Sequence, residues 1–129
     1  MSDYTATPIS DMETFYKGLF RRARAELGAS SFGLAVIELE PESGEHPDHD
    51  HAGGQEEVYV VLRGTGQMDV GGDTIELEPE TIVRVGPDTK RRIRPGRQGM
   101  RLLAIGGTPG QAYVAPSYTE VGAPDPLGR

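Results

Sequence analysis

The chain lacks cysteine altogether, and it contains three histidines and no long hydrophobic segment. Without cysteine, the protein has no disulfide framework and no thiolate that could act as a nucleophile or a metal ligand. The longest apolar run, residues 58–62, is far too short to span a bilayer. The first residues lack the basic flank and apolar core of a secretory signal. We therefore expect a soluble, cytoplasmic protein.

Basic residues are also scarce relative to acidic ones, with 13 against 20 and a net charge of −7 over 129 residues. This balance argues against a nucleic-acid partner. The length fits one domain with an ordinary core. We expect an N-terminal segment over residues 1–30, a β domain over 31–114 and a Pro/Gly-rich C-terminal tail over 115–129. No Ser/His/Asp triad, phosphate-binding loop or nucleotide-binding fingerprint is present.

The N-terminal segment carries a helical pattern. Ser10 and Glu13 have the spacing of a capping box. Apolar residues then recur at steps of three and four, and Gly28 is a suitable stop. The pattern predicts one N-terminal α-helix packed against the β domain or a second subunit. The apolar residues of this stripe are Met12, Phe15, Tyr16, Leu19, Phe20, Ala23 and Leu27.

Strand signals follow from Ser31 onward. Short runs rich in β-branched and large apolar residues are separated by Gly, Pro and Asp turns. Gly71 and Gly72 form a two-residue hairpin signal, because both can adopt positive φ. About eight strands at this spacing predict an all-β sandwich or barrel. The runs are residues 32–40, 57–63, 65–70, 74–77, 81–85, 91–94, 100–105 and 111–114.

All three histidines lie within six positions, just before a strand that begins with two carboxylates. His49 and His51 are two residues apart, so on an extended backbone they point to the same side. A turn at Gly53 and Gly54 could bring Glu57 beside them. Imidazole and carboxylate are the ligands that Fe, Mn, Ni, Zn or Co selects. His46 falls on the opposite side of the strand. Glu56 alternates with Glu57, so we expect the Glu56 carboxylate at the surface.

The spacing His49-x-His51, a short gap, Glu57, six residues and Gly64 resembles the first motif of the cupin superfamily. The resemblance covers about residues 32 to 113. It implies a small antiparallel double-stranded β-helix, or jelly-roll barrel, and a divalent-metal site formed by His49, His51 and Glu57. It also implies a homodimer. Cupins supply their last metal histidine from a second motif, and Arg91 occupies that position here.

Arg91 therefore bears on the chemistry of the predicted site. Strand alternation places Arg91 and Ile93 on the inner face and Lys90, Arg92 and Arg94 on the outer face. A guanidinium cannot ligate a metal, and it repels a dication about 5 Å away by roughly 6–7 kcal/mol at an effective dielectric of about 20. Three outcomes remain open: weak metal binding, an Arg91–Glu57 pair in a metal-free pocket, or an anionic ligand that bridges the metal and Arg91.

Three functional classes follow. The first is a small-molecule-binding cupin whose pocket can hold a metal. The second is a metal-dependent enzyme of the dioxygenase or isomerase type, acting on a small anionic substrate, and whether the protein is an enzyme stays open. In that case Arg91 orients the substrate and Tyr59, which faces inward by alternation, donates a hydrogen bond, so both are candidate substrate-binding and catalytic residues. The third is a metal-free binding or structural barrel.

Overall fold

The computed structural model describes residues 2–42 and 54–128, and most of this structure is antiparallel β-sheet. The all-β class is therefore confirmed. One short helix, α1 (Ala23–Leu27), and single 3-10 turns at Ile9–Asp11 and Ser117–Thr119 complete the elements of this part of the chain. The strands are β1 (Thr14–Phe15), β2 (Phe20–Arg21), β3 (Gly33–Leu39), β4 (Glu56–Val70), β5 (Asp73–Leu77), β6 (Ile82–Val85) and β7 (Arg91–Gly107).

The strands form one sheet in the order β1-β2-β3-β7-β4-β5, with β6 also paired to β4. β4 and β7 are 15 and 17 residues long, because each joins two of the runs predicted from sequence. The first half of β4 pairs with β6, and its second half pairs with β5 through the Gly71–Gly72 turn. The predicted strand over residues 111–114 is wrong, because these residues form no ladder.

β4 bends at Gly64, where it pairs with β7 next to Gly99. The ladder is irregular between Gly64 and Gly66, and both Gly64 and Gly99 have positive φ. A Cβ placed at Gly64 would lie 2.0 Å from the carbonyl oxygen of Gly99, so only glycine allows the two backbones to approach this closely. The bend separates the end of the sheet near Glu57 from the end near the β4–β5 turn.

The main core lies on the inner face of the sheet and consists of alternating strand residues. A second, smaller cluster lies on the outer face, where Ala23 of α1 packs against Val36 of β3. Among the described residues, no helix has the length and apolar character needed to cross a bilayer. The completely buried apolar residues of the inner core are Met68, Ile93 and Leu102.

The predicted N-terminal helix is wrong over most of its length. Residues 14–21 form a small hairpin, and only residues 23–27 are helical. Phe20 pairs with Ile37 of β3, a partner distant in sequence that local periodicity cannot reveal. Ser10 makes no cap bond, and Glu13 contacts Arg22 instead. The stop at Gly28 is confirmed, since it caps α1 with φ of 75°.

The C-terminal tail lies against the N-terminal hairpin of the same chain. The amide of Gly122 donates to Glu13 Oε1 at 2.8 Å, and the amide of Lys17 donates to Asp125 Oδ2 at 3.2 Å. Glu120 also forms an ion pair with Arg24 of α1. The tail is therefore held by polar bonds, and its apolar residue Val121 remains half exposed.

Candidate small-molecule site

The inner face of the sheet contains a cavity because four neighbouring positions carry very small side chains. The ladder aligns Gly33, Gly106 and Glu57 in one row. The next row aligns Ala35, Ala104 and Tyr59. The third row contains Ile37, Leu102 and Val61, whose large side chains close the floor. The resulting cavity has a volume of about 290 Å³.

Aromatic rings form much of the cavity's remaining wall. Of the five tyrosines and three phenylalanines in the chain, six line this space. Phe15 and Phe20 pack with ring centroids 5.5 Å apart, and Tyr118 from the tail lies 6.2 Å from Phe15. The N-terminal hairpin and the C-terminal tail thus complete one wall together. The six residues are Phe15, Tyr16, Phe20, Tyr59, Tyr113 and Tyr118.

Glu57 and Tyr59 form a polar group on the β4 side of the cavity, and Arg91 lies next to Glu57. The Tyr59 hydroxyl donates to Glu57 Oε1 at 2.5 Å, and Arg91 Nη1 lies 3.7 Å from the same oxygen. Burial raises the pKa of Tyr59, and the charge of Glu57 and its hydrogen bond raise it further. Tyr59 therefore stays protonated and donates to the carboxylate. Arg91 is completely buried, and its Nη2 donates to the Gly86 carbonyl at 2.9 Å.

Glu57 faces the cavity, whereas Arg91 lies behind it. Glu57 and Tyr59 both line the cavity, and Arg91 is not among the lining residues. The ion pair consequently presents its negative end to a ligand. Glu56, one residue earlier, points outward and bonds Arg84 Nε at 2.7 Å, as strand alternation predicted. Arg94, one of the outer basic residues, makes two hydrogen bonds to Asp69.

The predicted metal ligands are only partly described. His46, His49 and His51 lie outside the described residues, so the structure brings Glu57 together with Tyr59 and Arg91 but leaves its relation to the imidazoles open. Within residues 2–42 and 54–128, no three His, Cys, Asp or Glu side chains converge on a point. The Glu57 carboxylate instead faces a buried guanidinium. This part of the donor set does not fit a dication, which Arg91 would repel.

Sequence reasoning missed the residues that create the cavity and its tyrosine-lined end. The sequence does contain one signal: small residues recur two positions apart, at Gly33 and Ala35 in one strand and at Ala104 and Gly106 in another. Their significance depends on β3 lying beside β7. The far end of the cavity is lined by Arg24, Tyr113 and Tyr118, and no local pattern connects these residues with the sheet.

The comparisons with known proteins agree with this fold. The sequence model of the cupin domain matches residues 35–106, which is more than half of the chain. The chain therefore belongs to the cupin domain family. No protein of curated function matches the sequence.

Several solved structures share the fold at low sequence identity. A cupin protein from Bacteroides fragilis has a TM-score of 0.71 and 22% identity, with 90% of this chain and 93% of that chain covered. A putative sugar phosphate isomerase from Acidithiobacillus ferrooxidans has a TM-score of 0.60 and 24% identity, covering 79% and 72%. A predicted oxalate decarboxylase from Thermotoga maritima has a TM-score of 0.53 and 20% identity, covering 60% and 68%.

Proposed function

We propose that the protein binds a small organic molecule in the cavity between the sheet and the aromatic wall, with no metal required at Glu57. The observation that carries this proposal is the row geometry, in which Gly33, Ala35, Ala104 and Gly106 leave about 290 Å³ beside a fixed carboxylate. Ligand pockets typically have volumes of roughly 300–1,000 Å³ and apolar walls with a few convergent polar groups. The cavity volume lies just below this range, so the cavity suits a small ligand.

The buried ion pair supports binding without a metal. Arg91 supplies a permanent positive charge beside Glu57, and Tyr59 donates a hydrogen bond to the same carboxylate oxygen. Both contacts fix the orientation of the Glu57 carboxylate. Glu57 then acts as a rigid hydrogen-bond acceptor for a ligand in the cavity.

A metal-dependent enzyme is the alternative function. Two proteins of similar fold are named as an isomerase and as a decarboxylase, and both names refer to small anionic substrates. In this alternative His49, His51 and Glu57 hold the metal. Metal analysis of protein purified without chelator separates the two functions: stoichiometric Fe, Mn, Ni or Zn supports the enzyme, and metal-free protein that binds ligand supports our proposal.

The binding proposal itself is tested by filling the cavity. Ala104→Leu adds three carbons beside Tyr59 and should abolish ligand-induced NMR shifts at cavity residues in a screen of small aromatic fragments. Ala6→Leu adds the same atoms at an exposed position and should leave binding unchanged. Fragment binding that survives Ala104→Leu in a folded protein would contradict the proposal.

The remaining expectations from the family resemblance belong to the same proposal. The sheet closes as a jelly-roll barrel, and the protein acts as a homodimer in the cytoplasm. Light scattering after size-exclusion chromatography tests the dimer, and a mass equal to one chain of 13.9 kDa would contradict it.

A further inference from the structure

Among the described residues, the cavity lining contains two charged side chains, Arg24 and Glu57. Each has a counter-ion that does not line the cavity, because Arg24 pairs with Glu120 and Glu57 pairs with Arg91. The cavity therefore presents a positive group and a negative group, each with its counter-ion behind it. A ligand that complements both groups must itself have two different polar ends.

The two charged groups lie at opposite sides of the cavity floor. Gly33 is separated from Glu57 by Gly106, so two strand spacings of about 4.8 Å place their backbones about 10 Å apart. The Tyr113 hydroxyl lies over Gly33, 2.9 Å from the position that a Cβ would take there. Burial raises the pKa of Tyr113, and the positive charge of the neighbouring Arg24 partly offsets this by lowering it. Arg24 and Tyr113 thus mark the end away from Glu57.

The guanidinium of Arg24 is held in place but is not saturated with acceptors. Its Nη1 donates to the Ala29 carbonyl at 3.0 Å, and its Nη2 bonds Glu120. Its Nε is shielded from solvent and has no acceptor among residues 2–42 and 54–128. A guanidinium has five N–H donors in a fork that matches a carboxylate. An acidic group entering the cavity supplies acceptors that Arg24 lacks.

The Glu57 end favours the opposite kind of group. An ionised carboxylate only accepts hydrogen bonds, and it has about four lone-pair sites. The proton of Tyr59 is already directed to Glu57. A ligand must therefore bring a donor, such as a hydroxyl or an amine, to this end.

We propose that the ligand is a small carboxylic acid with a flat apolar body and a hydroxyl or amine at the far end. Its acid group binds Arg24 and the Tyr113 hydroxyl, its body lies over Ala35 and Ala104, and its donor binds Glu57. This assignment rests on the proposed binding function, and it identifies Arg24, rather than the buried Arg91, as the residue that recognises the anion.

Four small aromatic probes test the assignment by titration calorimetry and NMR. The probe 4-hydroxyphenylacetate has both ends, phenylacetate has the acid alone, 4-methylphenol has the hydroxyl alone, and tyramine replaces the acid with a cation. We expect 4-hydroxyphenylacetate to bind at least about tenfold more tightly than each single-ended probe, because charge-assisted hydrogen bonds contribute at both ends. Tyramine brings a donor to Glu57 but no acid group to Arg24, so it should bind more weakly than 4-hydroxyphenylacetate.

The matched variant is Arg24→Gln, with Arg21→Gln as the control. Arg21 bonds Glu38 and the Met12 carbonyl and does not line the cavity. Arg24→Gln should weaken both acids about tenfold and leave 4-methylphenol unchanged, whereas Arg21→Gln should leave all probes unchanged. If Arg24→Gln fails to fold, Arg24→Lys keeps the charge without the fork and should weaken the acids by a smaller factor.

The outcomes separate the two proposals. Acid affinity that is unchanged in Arg24→Gln, or tightest binding of tyramine, would overturn the assignment while leaving the binding cavity in place. If no probe shifts any cavity resonance of the unaltered protein, the assignment and the proposed function both fail.

Discussion

Arg91 Nη1 lies 3.7 Å from Glu57 Oε1, and the guanidinium has no exposed surface. Arg91 occupies the position at which the resemblance to cupins expects the last metal histidine. The residue at this position thus places a fixed monovalent cation beside the carboxylate. Glu57 therefore has the Arg91 guanidinium as its positive neighbour, and, unlike a metal ion, a guanidinium has no coordination position for a substrate.

Breaking this pair should destabilise the protein more than breaking a surface pair. Arg91→Met leaves Glu57 beside the core without its cation, and we expect the free energy of unfolding to fall by about 3–5 kcal/mol. Adding Glu57→Gln to Arg91→Met should restore part of this loss, because no buried charge then remains. Urea unfolding of the single and double variants measures the coupling.

The exposed pair Arg84–Glu56 provides the control for that cycle. Its side chains are 65% and 38% exposed, so its removal should change the free energy of unfolding by less than about 1 kcal/mol. If Arg91→Met and Arg84→Met lower the free energy of unfolding equally, the buried Arg91–Glu57 pair is not a significant stabilising contact.

Replacing Arg91 by histidine should tighten the binding of Mn²⁺ and Zn²⁺. The substitution removes a cation that repels a nearby dication by roughly 6–7 kcal/mol at about 5 Å and an effective dielectric of about 20, and it adds an imidazole ligand. Calorimetric titration measures the change, and Arg91→His with His49→Ala tests whether the predicted histidine takes part. Unchanged affinity in Arg91→His would mean that no metal site forms at Glu57.

Two glycines with similar backbone angles should tolerate alanine very differently. Gly64 and Gly72 have φ of 83° and 89°. An added Cβ at Gly72 meets nothing within 4 Å, so Gly72→Ala should destabilise the protein by only about 1–2 kcal/mol. Gly64→Ala adds a 2.0 Å contact with the Gly99 carbonyl oxygen, so its free energy of unfolding should fall by at least twice as much. Equal losses of stability on thermal unfolding of the two variants would contradict the close approach of the β4 and β7 backbones at Gly64 and Gly99.

The C-terminal tail should detach from the hairpin as the pH falls. The Gly122 amide and Arg22 hold the pKa of Glu13 below its usual value of 4.5. The Leu127 amide, followed by the Lys17 and Tyr16 amides, holds the pKa of Asp125 below 3.8. Because both values are lowered on folding, the stabilisation is complete above the usual pKa values and is lost as the pH falls through the lowered ones.

Amide hydrogen exchange measures this detachment. The amides of Gly122 and Lys17 should be protected near neutral pH. They should lose protection, relative to amides in β7, as the pH falls below the usual pKa values of 4.5 for Glu13 and 3.8 for Asp125. Asp125→Asn should reproduce the loss at Lys17 at neutral pH while protection in β7 stays constant. Equal protection at Lys17 in Asp125→Asn and in the unaltered chain would contradict the role of this carboxylate.

Strands β3 to β7 and the faces of their residues could be predicted from the sequence, because alternation fixes the direction of each side chain once a strand is recognised. Tyr59 and Arg91 therefore lie on the inner side and Glu56 on the outer side. Gly64 gave the register of the cupin motif, and the structure adds the physical reason for a glycine there, the contact with Gly99.

The N-terminal hairpin and the cavity could not be predicted in the same way, because both depend on contacts between distant parts of the chain. Phe20 has helical spacing relative to Phe15 and Tyr16, but its pairing with Ile37 decides its conformation. Likewise, Ala35 and Ala104 produce a cavity only because β3 and β7 are neighbours. Local propensity carries no information on either pairing.

The position of the tail has a practical consequence for labelling. Asp125 accepts a hydrogen bond from the Lys17 amide, next to Tyr16 of the aromatic wall, so a label attached to the tail beside Asp125 lies close to the ligand cavity. A tag inserted at the exposed Gly71–Gly72 turn, beyond the bend at Gly64, lies at the other end of the sheet. Attaching a fluorophore near the C-terminus should, for the same reason, give an optical signal for occupancy that a fluorophore in that turn would not give.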